Sequence, residues 1–136
     1  MFNIFKSSKD AKLERIVIGY LRRETSNQLG VDPSSKEFDD YAISSGELMK
    51  VTVVPFLDKQ LMQEVADTLN SVATNRFNEM LGEFMLQLYT RFCLMSVELG
   101  EGKLTHEEAL LSQPNNLAKV LHEQIKNLIK QQRKPS

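Results

Sequence analysis

Apolar residues lie on every side of the segment from position 84 to position 97 if that segment is helical. A surface helix keeps one polar face toward water, so a helix that is apolar all round has to be enclosed. We therefore expect this segment to be the central helix of an all-helical domain, or to complete its burial against a second chain. Its apolar members are Phe84, Met85, Leu86, Leu88, Tyr89, Phe92, Cys93, Leu94, Met95 and Val97.

Amphipathic helices are predicted at both ends of the chain, over residues 8–29 and 116–132. Apolar residues recur there at spacings of three and four, the period of one helical face. Gly30 ends the first helix, with Pro33 confirming the break. The two apolar faces comprise Leu13, Ile16, Val17, Tyr20 and Leu21 in the first helix, and Leu117, Val120, Leu121, Ile125, Leu128 and Ile129 in the last.

The region before Pro55 is expected to hold a second helix that starts at Ser34, where Ser34 and Glu37 have capping-box spacing. The run Ser44-Ser45-Gly46 is expected to interrupt it. Residues 48–54 contain several β-branched residues, but the chain offers no second strand-like run to pair with them. We interpret residues 48–54 as a short helix, with an extended connector as the alternative.

A single helical phase persists from Pro55 to Leu99. One continuous helix of this length would measure about 65 Å at 1.5 Å per residue. A compact chain of this size has a diameter of roughly 35–40 Å. The helix therefore breaks, at Asn70–Asn75 or at Gly82, or it projects toward a partner; the unbroken phase favours projection.

The fold class predicted from these patterns is all-α: a small helical bundle of four to six helices around a long central helix at about 55–99, with a dimer as an open possibility. Size indicates a single domain over residues 1–136, with residues 1–7 and 132–136 as flexible tails. A short helix from Thr105 to Ser112 and a turn at residues 113–116 are expected to precede the last helix.

Charge and cysteine content narrow the function classes. The formal net charge of −1 gives no general attraction to nucleic acid or anionic membranes. One cysteine, Cys93, excludes an internal disulfide framework and suits the cytoplasm, where we expect the protein to reside. Neither a secretory signal nor a run of 18 apolar residues is visible. Phe2, Ile4 and Phe5 before Lys6 offer only a weak contact with a membrane surface.

No catalytic, metal or cofactor motif emerges, so we expect a protein that is not an enzyme. His106 stands beside Glu107, and His122 beside Glu123. Neighbouring positions on a helix point about 100° apart and do not converge on one metal ion. The glycines are scattered and form no phosphate-binding loop.

The functional prediction is a cytoplasmic protein-interaction module, such as an adaptor, chaperone or regulator, that forms a homodimer or binds a protein partner. Large aromatic and flexible thioether side chains suit adaptable interfaces. The expected interface residues are Phe77, Met80, Phe84, Met85, Leu88, Phe92 and Met95.

The alternative function is a DNA-associated regulator that uses a helix-turn-helix-like segment over residues 105–131 and the basic tail. The acidic residues of the same segment and the balanced net charge count against it. Its expected nucleic-acid contacts are Lys126, Lys130, Arg133 and Lys134.

Overall fold

Five α-helices account for most of residues 8–73, 75–100 and 106–133, the parts of the chain described by this computed structural model. No strand occurs within these ranges, so the all-α prediction is confirmed. A short 3₁₀ helix, Val54–Phe56, joins the second helix to the third. The five helices are α1 (Ser8–Leu29), α2 (Lys36–Thr52), α3 (Lys59–Val72), α4 (Phe77–Gly100) and α5 (His106–Arg133).

Helix α4 is the element around which the others are arranged, since it contacts each of the other four helices. Met80, Phe84 and Leu88 are fully buried along one side of it. Leu86 and Tyr89, which point elsewhere around the helix, are buried as well. The apolar segment is thus enclosed within one chain over the part of α4 whose side chains are described, which ends at Phe92.

The predicted continuous helix over residues 55–99 is wrong, because α3 ends at Val72 and α4 begins at Phe77. The break between Val72 and Phe77 overlaps the Asn70–Asn75 region, one of its two expected sites. Ala73 is buried in an extended conformation and turns the chain. The separate helices measure about 21 Å and about 36 Å, so neither has to project beyond a compact domain.

Helix α2 is longer than predicted, because the run at positions 44–46 continues the helix instead of interrupting it. Ser45 is buried there, which places it on the side that packs against the core. The helical interpretation of residues 48–54 is confirmed as far as Thr52. The N-cap is Ser35 rather than Ser34, because the Ser35 hydroxyl accepts a hydrogen bond from the backbone N–H of Phe38 at 3.1 Å. Ser34 instead donates through its backbone N–H and its hydroxyl to Asp32.

The predicted turn at residues 113–116 is also wrong, because these residues lie within α5. Pro114 is buried inside the helix, where it lacks the N–H of one intrahelical bond. The Asn115 amide donates to the carbonyl oxygen of Phe56 at 2.9 Å and accepts from the backbone N–H of Asp58 at 2.7 Å. These two bonds tie α5 to the connection before α3. Thr105, the expected start of a separate helix, lies outside the described residues.

The amphipathic stripes of α1 and α5 supply much of the core, as their periodicity predicted. Val120 is the exception in α5, with half of its surface exposed. The buried apolar residues of α1, α3 and α5 form one cluster with those of α4; they are Leu13, Val17, Ile18, Leu21, Leu61, Val65, Leu69, Val72, Ala118, Leu121, Ile125 and Ile129.

Substitution by alanine should have opposite effects on the stability of the fold at Gly19, within α1, and at Gly30, which follows its last residue. Gly19 is an exposed residue in the middle of the helix, and no described atom lies within 4 Å of an added Cβ. Gly30 ends the helix with φ +69°, a conformation that favours glycine. We expect Gly19→Ala to stabilise the fold by about 0.5–1 kcal/mol and Gly30→Ala to destabilise it by about 1 kcal/mol.

Thermal unfolding followed by far-ultraviolet circular dichroism checks both changes, and each should move the melting temperature by a few degrees, about 2–6 °C. A melting temperature of Gly30→Ala at or above that of the wild type would contradict the assignment of Gly30 as a left-handed helix cap.

Candidate functional site

A groove of about 450 Å³ lies between α2 and α4 and is the candidate functional site. Both walls are largely apolar, and the charged side chains are few. On α2 and just beyond it the lining residues are Ala42, Ile43, Ser45, Gly46, Met49, Lys50 and Val54; on α4 they are Glu79, Gly82, Glu83, Met85, Leu86 and Tyr89.

Two glycines keep the groove open, one on each wall. Gly46 of α2 and Gly82 of α4 are both exposed. A Cβ added at either position would have no described atom within 4 Å. Since glycine in a helix interior costs about 0.5–1 kcal/mol relative to alanine, this space is maintained at the expense of helix stability.

Helix α2 exposes an unusual number of aliphatic side chains for a helix of 17 residues. Ile43 is 69% exposed, Leu48 53% and Val51 70%, and Val54 just beyond the helix is 41% exposed. Ile43 and Val54 also line the groove, so its apolar surface continues onto the outside of the domain. An apolar patch of this kind on a protein surface typically marks an interaction site.

Glu83 is the buried charge in the wall of the groove. Its Oε1 atom accepts a hydrogen bond from Nη1 of Arg22 at 2.8 Å. The Arg22 guanidinium also donates to the carbonyl oxygen of Pro33 and lies 4.9 Å from the centroid of the Phe38 ring. Arg22 therefore connects α1 with α4 and with the N-terminal part of α2.

The second carboxylate oxygen of Glu83, Oε2, is buried and has no hydrogen-bond partner among the residues that the structure describes. Burial raises the pKa of Glu83 above its ordinary value, and the neighbouring Arg22 charge opposes that rise. The groove thus contains one acceptor that is already desolvated, beside otherwise apolar walls. A buried acceptor without a partner is unfavourable, so a donor that reached it would be stabilising.

The predicted Phe/Met interface lies mainly inside the domain. Met80, Phe84, Leu88 and Phe92 are buried in the common core. Phe77 and Met85 are half-buried and pack against that core, and Met85 alone of the set contributes to the groove. Met95 belongs to α4, but its side chain lies outside the described part. The buried members of this stripe, Met80, Phe84, Leu88 and Phe92, are therefore not accessible to a partner of the folded chain.

The predicted nucleic-acid contacts lie on α5 beside α3. Lys126 forms an ion pair with Glu123 at 2.7 Å. Lys126, Lys130 and Arg133 border a shallow depression whose other wall includes Asp67 of α3. Lys134 lies outside the described residues. Since residues 113–116 are helical, the helix-turn-helix layout that would carry these cations into a groove of DNA is not formed.

His122 is buried between α3 and α5, and it does not lie in the α2–α4 groove. Its Nε2 is 2.8 Å from the hydroxyl of Thr68, which itself donates to the carbonyl oxygen of Glu64. We therefore assign Nε2–H as the donor to Thr68. Burial lowers the pKa of His122, and the nearby Lys126 charge lowers it further. This geometry gives the imidazole a structural role in α3–α5 packing.

The described residues contain neither a cluster of metal ligands nor a helix that could span a membrane. Within them, no group of three or more His, Cys, Asp or Glu residues converges on a point that could hold a metal ion. None of the helices described has a stretch long and apolar enough to cross a bilayer.

Comparison with protein-family models, with curated proteins and with solved structures found no match to this chain. The function is therefore argued from the geometry of the groove.

Sequence analysis missed the groove because it ended the second helix at positions 44–46, which removed most of one wall. The signal was present in the chain. Ile43, Leu48 and Val51 do not share the side of α2 that Phe38, Met49 and Val53 bury, so a helix through this region carries more aliphatic residues than one buried face requires. Glu83 gave no signal, because an acidic residue on a helix is usually solvated.

The raised pKa of Glu83 predicts a pH dependence of stability. A carboxyl whose pKa is higher in the folded state than in the unfolded chain stabilises the fold at low pH, and that contribution is lost as pH rises through the folded-state pKa. As pH rises above about 4.5, the ordinary pKa of a glutamate carboxyl, we expect the wild type to lose stability relative to Glu83→Gln. Urea unfolding of both proteins between pH 4 and 8 measures the difference.

Asp67→Asn is a control, because Asp67 is exposed and lies on the other side of the domain. A stability difference between wild type and Glu83→Gln that stays flat across this pH range would contradict the shift.

His122 predicts the opposite trend. A histidine whose pKa is lowered in the folded state stabilises the protein above its unfolded pKa of 6.5, and this contribution is lost as pH falls below that value. We expect the urea midpoint of the wild type to fall between pH 7.5 and 5.5 by more than that of His122→Gln. Equal falls in the two proteins would show that another group is responsible.

Proposed function

We propose that this chain is a non-enzymatic protein-interaction module whose docking surface is the α2–α4 groove. The observation that supports the proposal is the continuous apolar surface formed by the groove and the exposed aliphatic residues at its edge, Ile43 and Val54. A helix of a partner that lay in the groove would remove these side chains from water, at about 25 cal/mol for each Å² of apolar surface buried.

A helical occupant fits better than a small molecule. Binding pockets for small molecules enclose most of the ligand surface. This groove lies between two helices and is bordered by residues that are more than 40% exposed, so a compact ligand would stay largely in contact with water. Amphipathic helices bind such grooves through apolar residues spaced three, four and seven positions apart.

The proposed function is the interaction module expected from the sequence, but its docking surface is the groove and not the Phe/Met stripe. Met85 belongs to both sets of residues. We place its activity in the cytoplasm, since the single cysteine suits a reducing compartment. We further propose that the five helices form a bundle that presents the groove. The nucleic-acid alternative has lost one of its two supports, the helix-turn-helix-like layout, because the expected turn lies within α5.

Photo-crosslinking at two positions of α2 tests the docking surface. A benzoylphenylalanine at position 43 lies at the groove, whereas one at position 51 lies on the outer side of the same helix. Ile43 and Val51 are almost equally exposed, so both replacements should leave the fold intact. We expect irradiation of cells of the native host to yield a protein adduct from position 43 and little from position 51, and mass spectrometry would identify the attached chain.

Adducts of equal yield from both positions, or adducts from position 51 alone, would contradict the assignment of the groove as the docking surface.

A further inference from the structure

Building on the proposed function, we propose that the occupant of the groove is a second copy of this chain, with α2 of each protomer lying along the α2–α4 groove of the other. A two-fold arrangement of this kind brings the same patch of both chains together, so the patch has to be complementary to itself. The patch of this chain meets that requirement in apolar surface, in shape and in charge.

Helix α2 itself has the chemistry of the helix that the groove would accept. Ile43 and Lys50 are seven residues apart, which places them on the same side of the helix, and Val54 follows shortly after. All three residues border the groove and are exposed. The second copy would therefore present an aliphatic, a basic and an aliphatic side chain in succession.

The opposite wall carries the matching charge. Glu79 is already paired with Arg76 at 2.9 Å, whereas one oxygen of Glu83 is bonded to Arg22 and the other has no partner among the described residues. Among the described residues, Lys50 forms an exposed ion pair with Glu47 at 3.5 Å, a contact of small stabilising effect. Lys50 of the second copy would face this acidic wall, in which the side chain of Glu79 is 44% exposed, once in each half of the dimer.

The two glycines supply the shape. Gly46 lies on α2 between Ile43 and Lys50, and Gly82 lies on the facing wall of α4. Because neither carries a side chain, a second α2 can approach both walls closely. Close approach brings the aliphatic residues at the edges into contact and excludes water between Lys50 and the acidic wall.

Sedimentation velocity of the full chain over a range of concentrations tests the proposal. We expect a wild-type dimer that Ile43→Asp weakens at least 10-fold, because an unpaired carboxylate would be buried at the interface. Val51→Asp is the matched control: it makes the same change on the same helix at a position of equal exposure outside the groove. Its dimerisation should match that of the wild type.

A second pair of variants tests the charge. Lys50→Glu would place two acidic residues together in each half of the dimer, and we expect it to weaken association by about the same factor as Ile43→Asp. Lys36→Glu makes the same charge change at the exposed first residue of α2, outside the groove, and should leave association unchanged. Equal dimerisation of these two variants would overturn the placement of Lys50 against the acidic wall of Glu79 and Glu83, and with it this arrangement of the two copies.

A monomeric wild type at every concentration, or a dimer that survives Ile43→Asp, would overturn the second copy as occupant. The proposed function would survive either result, since crosslinks from position 43 to a different protein would then identify the occupant.

Discussion

The enclosure of α4 is the constraint on which the rest of the structure depends. This helix carries apolar residues all round, and even its polar residues Gln87 and Thr90 are buried. Buried polar groups need partners within the protein. Thr90 donates to the carbonyl oxygen of Leu86 within its own helix, and the amide oxygen of Gln87 lies 3.4 Å from the hydroxyl of Thr25. Helix α1 therefore lies beside α4 in a register in which Thr25 reaches Gln87 and Arg22 reaches Glu83.

The four surrounding helices do not contribute equally to this enclosure. Helices α1, α3 and α5 also contact one another and share one continuous core with α4. Helix α2 adds Met49 to this core, buries Phe38 beside Arg22, and leaves Ile43, Leu48 and Val51 exposed. The groove is the gap left where α2 covers α4 incompletely. The groove exists because α4 is apolar all round, whereas α2, the fourth helix beside it, has Gly46 near its centre and leaves part of α4 uncovered.

Hydrophobic periodicity predicted the helices correctly where one face of a helix is buried and a local signal ends that helix. The stripes of α1 and α5 and the cap at Gly30 are examples. It failed where local and tertiary preferences conflict. Ser45 belongs to a run that favours a turn, but its burial against the core stabilises the helix through it. Pro114 likewise continues α5. The break after α3 was predicted only as an alternative, because the hydrophobic phase is the same on both sides of residues 73–76. The groove depends on distances between helices, which a single sequence does not contain.

The one-sided attachment of α2 has a consequence for the motions of the folded protein. Apart from Arg22, which holds the Phe38 end, the contacts that retain α2 are made chiefly with α4 and with the 3₁₀ helix that follows α2. An element with few buried contacts detaches at a lower free energy than the shared core, so α2 is the segment whose amide hydrogens should exchange first as a unit. A protein that contacted both walls of the groove would slow that exchange by clamping α2 to α4. Occupancy of the site is therefore coupled to the local unfolding of one of its walls.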